Sequence, residues 1–218
     1  MKNKRQYVVW GLGRFGVSVA RTLFALGHEV LGIDNDEDLV QSMSQELTHV
    51  VVADNIDEET VKALGLRNFD VAIVAIGDLE ANLLCTMILK EAGVPLIVVK
   101  ASNALHGKML EKIGADKVIY PERDMGKRVA HNLASSNIMD YIELADDLSL
   151  MEMTVPASLV GKNLIEADLR KRYNVNIVAV KHGGKTEINP DPTVRFTAED
   201  VLIVLGKHES MTKMEVGV

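Results

Sequence analysis

The sequence predicts an α/β protein in which a doubly wound parallel sheet is followed by a smaller α+β lobe. Three observations support this prediction. Six short runs are apolar throughout, which is typical of strands buried on both faces of a parallel sheet. The segments between the runs carry apolar residues at helical spacing, which predicts covering helices. Beyond about residue 146 the pattern changes to a β-rich segment, which predicts a second lobe.

The strands and helices of the first lobe follow from simple patterns. The predicted strands are QYVVW (6–10), HEVLGI (28–33), HVVVA (49–53), DVAIVAI (70–76), LIVVK (96–100) and KVIY (117–120). Helical stripes expected to pack on this sheet are Phe15, Val19, Leu23 and Leu26, then Leu83 and Met87, then Leu105, Met109 and Ile113. Gly27, Gly93 and Gly114 predict helix ends, and Asp78 and Asn103 predict helix starts.

The second lobe has a different order of elements. A helix and an extended segment follow Pro121, and the elements from residue 147 onward end with VLIVLG. They are strand 148–155, helix 163–173, strand 176–182, a Gly-Gly turn, a short strand and loop over 186–196, and strand 201–206. We expect domains at 1–140 and 141–218. Because the second is too small to bury a large core by itself, it needs a partner surface, either the first domain or another copy of itself, and a homo-oligomer is the simpler expectation.

Composition excludes several classes of function. Lys and Arg number 24 against 31 Asp and Glu, a net charge of −7 that disfavours nucleic acid as a partner. Cys85 is the one cysteine, so no intrachain disulfide or cysteine-based zinc site can form, and a reducing compartment is expected. No apolar run reaches the roughly 18 residues of a membrane span, so any membrane link would run through a partner.

A glycine-rich loop follows the first predicted strand and opens the first helix. It reads Gly11-Leu12-Gly13-Arg14-Phe15-Gly16, and Asp34 ends the second strand roughly 20 residues later. In this Rossmann-like fingerprint the first glycine makes a tight turn and the second lets backbone N–H groups approach a phosphate. The third lets the helix pack on the strand, and the acid binds ribose hydroxyls. The sequence therefore predicts a nucleotide site.

The residues leave the identity of the nucleotide open. Asp34 repels a 2′-phosphate, which disfavours NADP and leaves NAD, ADP and ATP. Arg14 either donates to phosphates or is a solvated side chain of the first helical turn. Lys100, at the end of the fifth strand, either faces the same crevice or is an ordinary solvated lysine. Asp54 and Asn55 either contact the adenine edge or form a turn.

Signatures of catalysis are missing from the sequence. No Tyr-x-x-x-Lys pair, phosphate-binding GxxxxGK[ST] loop or metal-ligand spacing is present. The histidines are expected at surface or boundary positions, and Cys85 in the core. A sensor without catalytic activity is therefore the favoured hypothesis. The alternative is an NAD-dependent oxidoreductase, for which His182 is the candidate acid or base.

Several segments together resemble the regulator of potassium conductance (RCK) proteins, specifically the regulatory subunits of Ktr/Trk-type potassium uptake systems. They are GLGRFG (11–16), IDND (33–36), DNIDEETVKALGLRNFDVAIVAIG (54–77) and EKIGADKVIYPERDMGKRVA (111–130), of which PERDMG is the most specific. The resemblance implies a cytoplasmic protein at the inner face of the membrane. It implies dimers that assemble into an octameric ring beneath a membrane potassium-translocating subunit, with ATP and ADP favouring different ring shapes.

The resemblance also implies roles for individual residues. Gly11, Gly13, Arg14 and Gly16 would hold the phosphates, Asp34 and Asp36 the ribose, Asp54 would lie near the base, and Ile76 and Gly77 would line the pocket. Together with Phe15, Asn55 and Lys100, these residues make up the predicted nucleotide-binding set. Glu122 matches a position that helps to hold a divalent cation, Mg²⁺ or Ca²⁺, between two subunits. Its alternative role is a first-turn carboxylate that stabilises the helix dipole.

A second ligand, cyclic di-AMP, is implied for the C-terminal lobe, where it would inhibit uptake. The matching residues are Leu164, Ile165, Arg170, Val178, Lys181 and His182. The apolar residues would contact the bases and the basic residues the phosphates, although the apolar ones also suit the core of a small domain. Lys181-His182-Gly183 stands where some relatives have two consecutive histidines.

Overall fold

The computed structural model describes residues 4–54, 56–134, 137–145 and 147–216, apart from the side chains of His208, Glu215 and Val216. The chain divides into two compact units, residues 1–122 and 123–218. This division lies upstream of residue 140, the boundary expected from sequence, because most of the helix that begins at Pro121 groups with the second unit. In the part of the chain that the structure describes, no helix is long and apolar enough to cross a membrane.

The first unit is built on a parallel sheet, as predicted. Its described strands are β1 (Gln6–Trp10), β2 (Glu29–Asp34), β3 (His49–Val52), β4 (Val71–Val74), β5 (Ile97–Lys100) and β6 (Lys117–Ile119). The strand order is β3-β2-β1-β4-β5-β6, and every neighbouring pair is parallel. The order changes direction between β1 and β4, and in doubly wound sheets ligands bind at the carboxyl ends of the strands at this switch point.

Helices connect the strands and cover both faces of this sheet. They are α1 (Arg14–Ala25), α2 (Glu37–Met43), α3 (Glu58–Ala63), a 3₁₀ turn (Leu66–Asn68), α4 (Leu79–Glu91), α5 (Ala104–Ile113) and, after β6, α6 (Pro121–Ala134). The predicted caps are confirmed. Asp78 accepts a hydrogen bond from the N–H of Ala81, and Asn103 accepts one from the N–H of His106, both at 2.9 Å. Gly27, Gly93 and Gly114 all have positive φ.

The core lies on both faces of the sheet because successive residues of a strand point to opposite sides. On β1, Val8 and Trp10 belong to one apolar cluster and Val9 to the other. Cys85 is fully buried in the first cluster, as predicted. The expectation that histidines are surface or boundary residues is wrong for His106, which is buried at the start of α5.

Part of the predicted helix packing is also wrong. Four residues that were expected against the sheet are exposed, Leu26 to 53% and Leu105 to 70%. They are Leu26 at the end of α1, Met87 of α4, and Leu105 and Met109 of α5. α4 covers the sheet with Cys85 and Leu89 instead. For Met87 the reason is that α4 is apolar on nearly every side, so its periodicity does not distinguish the face that packs on the sheet from the outer face.

The second unit is the predicted α+β lobe. Its further elements are β7 (Ile138–Ala145), β8 (Leu148–Thr154), α7 (Leu164–Ala167), α8 (Leu169–Tyr173), β9 (Asn176–His182), β10 (Lys185–Ile188), β11 (Val201–Gly206) and α9 (His208–Val216). The strands form an antiparallel sheet in the order β10-β9-β11-β8-β7. The helix predicted over 163–173 is two short helices, because the chain turns at Asp168, whose φ is +43°.

Candidate functional site

The glycine loop packs so closely that two of its positions exclude a side chain. Gly11 has a φ of +99°, and its N–H donates to the carbonyl oxygen of Ile33 at 2.8 Å. A Cβ on Gly11 would lie 2.8 Å from the backbone of Ala75 and Ile76, just after β4. A Cβ on Gly16 would lie 1.8 Å from the carbonyl oxygen of Gly11. The loop, which continues β1, is therefore held between the ends of β2 and β4.

The start of α1 is open, in contrast to the rest of the loop. Gly13 is the N-cap residue, and among the described residues no side chain caps the helix by a hydrogen bond. A Cβ on Gly13 would meet no described atom within 4 Å. The first N–H groups of a helix have no intrahelical acceptor, and the helix dipole favours an anion there. This geometry fits a phosphate group. The side chain of Phe15 packs on the core, so its contribution would come from the backbone.

Asp34 connects the end of β2 to the glycine loop. Its Oδ2 accepts a hydrogen bond from the N–H of Leu12, and its Oδ1 accepts one from the N–H of Asp36 at 3.0 Å. The carboxylate is half-buried beside the loop, which is where a ribose-binding acid lies in this kind of site. Asp36 itself caps α2 by accepting from the N–H groups of Asp38 and Leu39.

The remaining predicted pocket residues follow the ends of β3 and β4. Asp54 is exposed after β3, and Asn55 lies outside the described residues. Ile76 is half-buried and Gly77 exposed after β4, and a Cβ on Gly77 would meet no described atom within 4 Å. These positions lie along the same carboxyl edge of the sheet as the glycine loop.

A cluster of charged side chains lies at the same edge. The Nζ of Lys100, at the end of β5, is 2.7 Å from Oε1 of Glu122 in the first turn of α6. The hydrogen bond from Lys100 lowers the pKa of Glu122, and the positive charges of Lys100 and Arg14 lower it further. The structure therefore pairs Lys100 with Glu122, two residues that were predicted separately, at the carboxyl edge of the sheet.

Sequence reasoning missed Asn82, which lies behind this edge. It is fully buried in the first turn of α4, and its Nδ2 donates to the carbonyl oxygens of Ile76 at 2.9 Å and Lys100 at 3.2 Å. The signal in the sequence is a single amide in the apolar segment LEANLLCTMIL (79–89). A polar residue in such a segment has to find partners, and the helix start places it near two strand ends.

The residues predicted for cyclic di-AMP lie on α7, α8 and β9 of the second unit. Leu164 packs on the core, Ile165 is 64% exposed and Arg170 is exposed. Val178 is skipped in the pairing of β9 with β11, which makes it a bulge residue. Two of the three basic candidates have acidic partners within the chain: Lys181 Nζ is 2.6 Å from Glu152, and His182 Nδ1 is 2.6 Å from Asp200.

Comparison with known proteins identifies the family. The model of the TrkA-N domain matches residues 7–121, and the model of the TrkA-C domain matches residues 150–215. The chain belongs to the TrkA-N/TrkA-C family. The chain is 46% identical over 213 residues to the Ktr system potassium uptake protein C of Bacillus subtilis, covering 97% of this chain and 96% of that protein. The resemblance to Ktr/Trk regulatory proteins is thereby confirmed.

Other relatives and solved structures agree with this assignment. The Ktr system potassium uptake protein A of Bacillus subtilis is 41% identical, covering 99% of this chain and 97% of that protein. The Ktr system potassium uptake protein A of Vibrio alginolyticus is 37% identical, covering 95% of this chain and 94% of that protein. The GsuK channel structure superposes with a TM-score of 0.71 at 17% identity, covering 98% of this chain and 39% of that one, which supports the RCK-type fold.

Proposed function

We propose that this chain is a nucleotide-sensing regulatory subunit of a Ktr-type potassium uptake system. The observation that carries the proposal is the open, uncapped start of α1 in a chain that matches Ktr proteins over almost its whole length. The subunit would act at the cytoplasmic face of the membrane by binding a potassium-translocating membrane subunit. Nucleotide exchange would change its conformation only to the extent that ATP and ADP bind the alternative states with different affinities.

The ligand we propose is ATP or ADP. The phosphates would lie against the N–H groups at the start of α1 and against Arg14, and Asp34 would bind the ribose hydroxyls. NAD and NADH are the competing ligands, because Asp34 would bind their ribose hydroxyls in the same way. A terminal phosphate near Lys100 would face the carboxylate of Glu122, and a divalent cation, Mg²⁺ or Ca²⁺, would offset their repulsion.

An exposed apolar surface supports a homo-oligomer. We define the α4–α5 face as Leu79, Leu84, Met87, Leu105 and Met109, all of which are exposed. Leu84, Met87 and Met109 line one surface groove, and large exposed apolar patches on a protein usually mark interaction sites. We propose that a second copy of the chain covers this face, and that dimers assemble further into an octameric ring.

The alternative function is an NAD-dependent oxidoreductase. The observation in its favour is the pairing of His182 with the buried carboxylate of Asp200, because such a partner orients an imidazole for acid–base chemistry. Hydride transfer from NADH to a substrate, followed by absorbance, would support this alternative. We expect no such transfer, because the chain matches Ktr potassium uptake proteins over almost its whole length.

A thermal-shift panel tests the proposal. The ligands are ATP, ADP, NAD, NADH and cyclic di-AMP, each with and without Mg²⁺. A ligand at 100 times its Kd stabilises the folded protein by about 2.7 kcal/mol, which raises the melting temperature measurably. We expect stabilisation by ATP and ADP, and potassium uptake in vesicles holding the membrane subunit should differ between the two. If neither nucleotide stabilises the chain, the proposal is wrong.

A further inference from the structure

Asn82 links the ends of two neighbouring strands. Its amide nitrogen donates to the carbonyl oxygens of Ile76, which follows β4, and of Lys100, which ends β5. The backbone of Asn82 is fixed in turn, because its N–H donates to the carbonyl oxygen of Asp78 at 3.0 Å in the first turn of α4. One buried side chain therefore joins a helix start to both strand ends on the same side of the switch point.

Both strand ends contribute to the candidate nucleotide site. The backbone of Ile76 lies against Gly11, because a Cβ on Gly11 would lie 2.8 Å from the nitrogen of Ile76. Lys100 extends its Nζ to Glu122, at 2.7 Å. A shift at the end of β4 would therefore move the backbone against which the glycine loop packs. A shift at the end of β5 would move the ammonium group of Lys100. Asn82 is fully buried, so it acts through Ile76 and Lys100 and not by touching a ligand.

Stability alone is a poor explanation for an amide at this position. Among the described residues, no group donates a hydrogen bond to the Oδ1 of Asn82, although this atom is buried. A buried polar atom without a partner destabilises the folded state, because its lost hydration is not replaced. The amide nitrogen, in contrast, has two acceptors in the site. This asymmetry points to a role in placing the two strand ends.

We propose that Asn82 is a positioning residue for nucleotide binding, which holds Lys100 and Ile76 in the arrangement that receives the phosphates. The inference rests on the proposed function, and it assigns the geometry of the site to a residue outside the glycine loop. The main consequence is that the contribution of Lys100 to affinity depends on Asn82.

Titration calorimetry of Mg-ATP into the full chain tests this inference with Asn82→Leu. The matched control is Thr86→Val. Thr86 is equally buried one turn further along α4, and its hydroxyl donates to the carbonyl oxygen of Asn82. Removal of the two hydrogen bonds should weaken ATP binding about tenfold. The control should bind within about twofold of the wild type, because it leaves both strand ends in place.

A double-mutant cycle with Lys100→Met separates positioning from a general loss of stability. If Asn82 acts partly through Lys100, then Asn82→Leu should weaken ATP binding by a clearly smaller factor in the Lys100→Met background than in the wild type, and what remains is the part that acts through Ile76. Equal affinity of Asn82→Leu and wild type, or full additivity of the two substitutions, would overturn the inference. Asn82→Ala replaces Asn82→Leu in the cycle if the latter does not fold. A wild type that does not bind ATP overturns the proposed function, and the inference with it.

Discussion

The two units carry their candidate ligand residues in different ways. In the first unit a parallel sheet brings every strand end to one edge, so residues from the loops after β1, β4 and β5 share one site. In the second unit an antiparallel sheet distributes the candidates over α7, α8 and β9, and both Lys181 and His182 already have acidic partners. The candidates of the first kind of site are already neighbours within one chain. A site of the second kind needs further residues, and a second copy of the chain is the source we propose.

The largest expected effect is in the glycine loop. Gly16→Ala places a Cβ 1.8 Å from the carbonyl oxygen of Gly11, so backbone must move. We expect a loss of at least about 3 kcal/mol in the free energy of unfolding, measured by urea denaturation. Gly13→Ala is the matched control for stability, because the space around Gly13 is open. It should fold normally and bind ATP more weakly. Normal stability of Gly16→Ala would contradict the close packing of the loop.

The second unit should be most sensitive at Asp200. This buried carboxylate accepts hydrogen bonds from the N–H and hydroxyl of Thr197, both at 2.8 Å, and from His182. Asp200→Ala should lower the free energy of unfolding by about 2–4 kcal/mol and leave ATP affinity unchanged. The control is Asp191→Ala, an exposed residue that accepts the same two kinds of hydrogen bond from Thr193. It should change stability by less than about 0.5 kcal/mol.

Asp200 also predicts that the free energy of unfolding depends on pH. Burial raises the pKa of Asp200, but the hydrogen bonds from Thr197 and His182 outweigh it and hold the pKa below the ordinary value. A carboxyl with a lowered folded-state pKa stabilises the protein above its unfolded pKa, about 3.9, and loses this contribution as the pH falls through its folded pKa. Denaturation between pH 7 and pH 2 should show this loss in the wild type and a smaller loss in Asp200→Asn. Identical profiles would contradict it.

The next effect concerns assembly. The double variant Met87→Glu/Leu105→Glu places two charges on the α4–α5 face, which should weaken contact with a second copy. We expect its molar mass, measured by size-exclusion chromatography with light scattering, to be lower than that of the wild type. Leu26→Glu is the control, because Leu26 is an exposed apolar residue at the end of α1, outside this face. An unchanged mass for the double variant would show that other surfaces hold the oligomer together.

The smallest expected effect is in the second unit's candidate ligand site. If cyclic di-AMP binds there, Ile165→Asp should weaken binding about tenfold, because it puts a charge at an exposed apolar contact. Calorimetry with cyclic di-AMP measures this change, and ATP binding by the same variant is the control. Equal binding of cyclic di-AMP by Ile165→Asp and wild type would exclude this surface.

Much of the fold and the glycine loop could be predicted because the signals are local. Apolar runs predicted the strands, and the spacing of Gly11, Gly13 and Gly16 predicted the loop that the structure shows. The packing face of α4 could not be predicted, since a helix that is apolar all round has no single stripe. The contacts of Asn82 and the pairing of Lys100 with Glu122 were also missed, because they depend on which strand ends become neighbours.

Asp34 tests the central claim, nucleotide binding at the carboxyl edge, most directly. The measurement is calorimetric titration of ATP into wild type, Asp34→Ala and Asp116→Ala. Asp116 is a matched carboxylate that accepts from the N–H of Ile97 at 2.8 Å, at the opposite edge of the same sheet. We predict that wild type and Asp116→Ala bind ATP and that Asp34→Ala loses at least about tenfold in affinity. No binding by the wild type, or equal binding by all three proteins, would contradict the account.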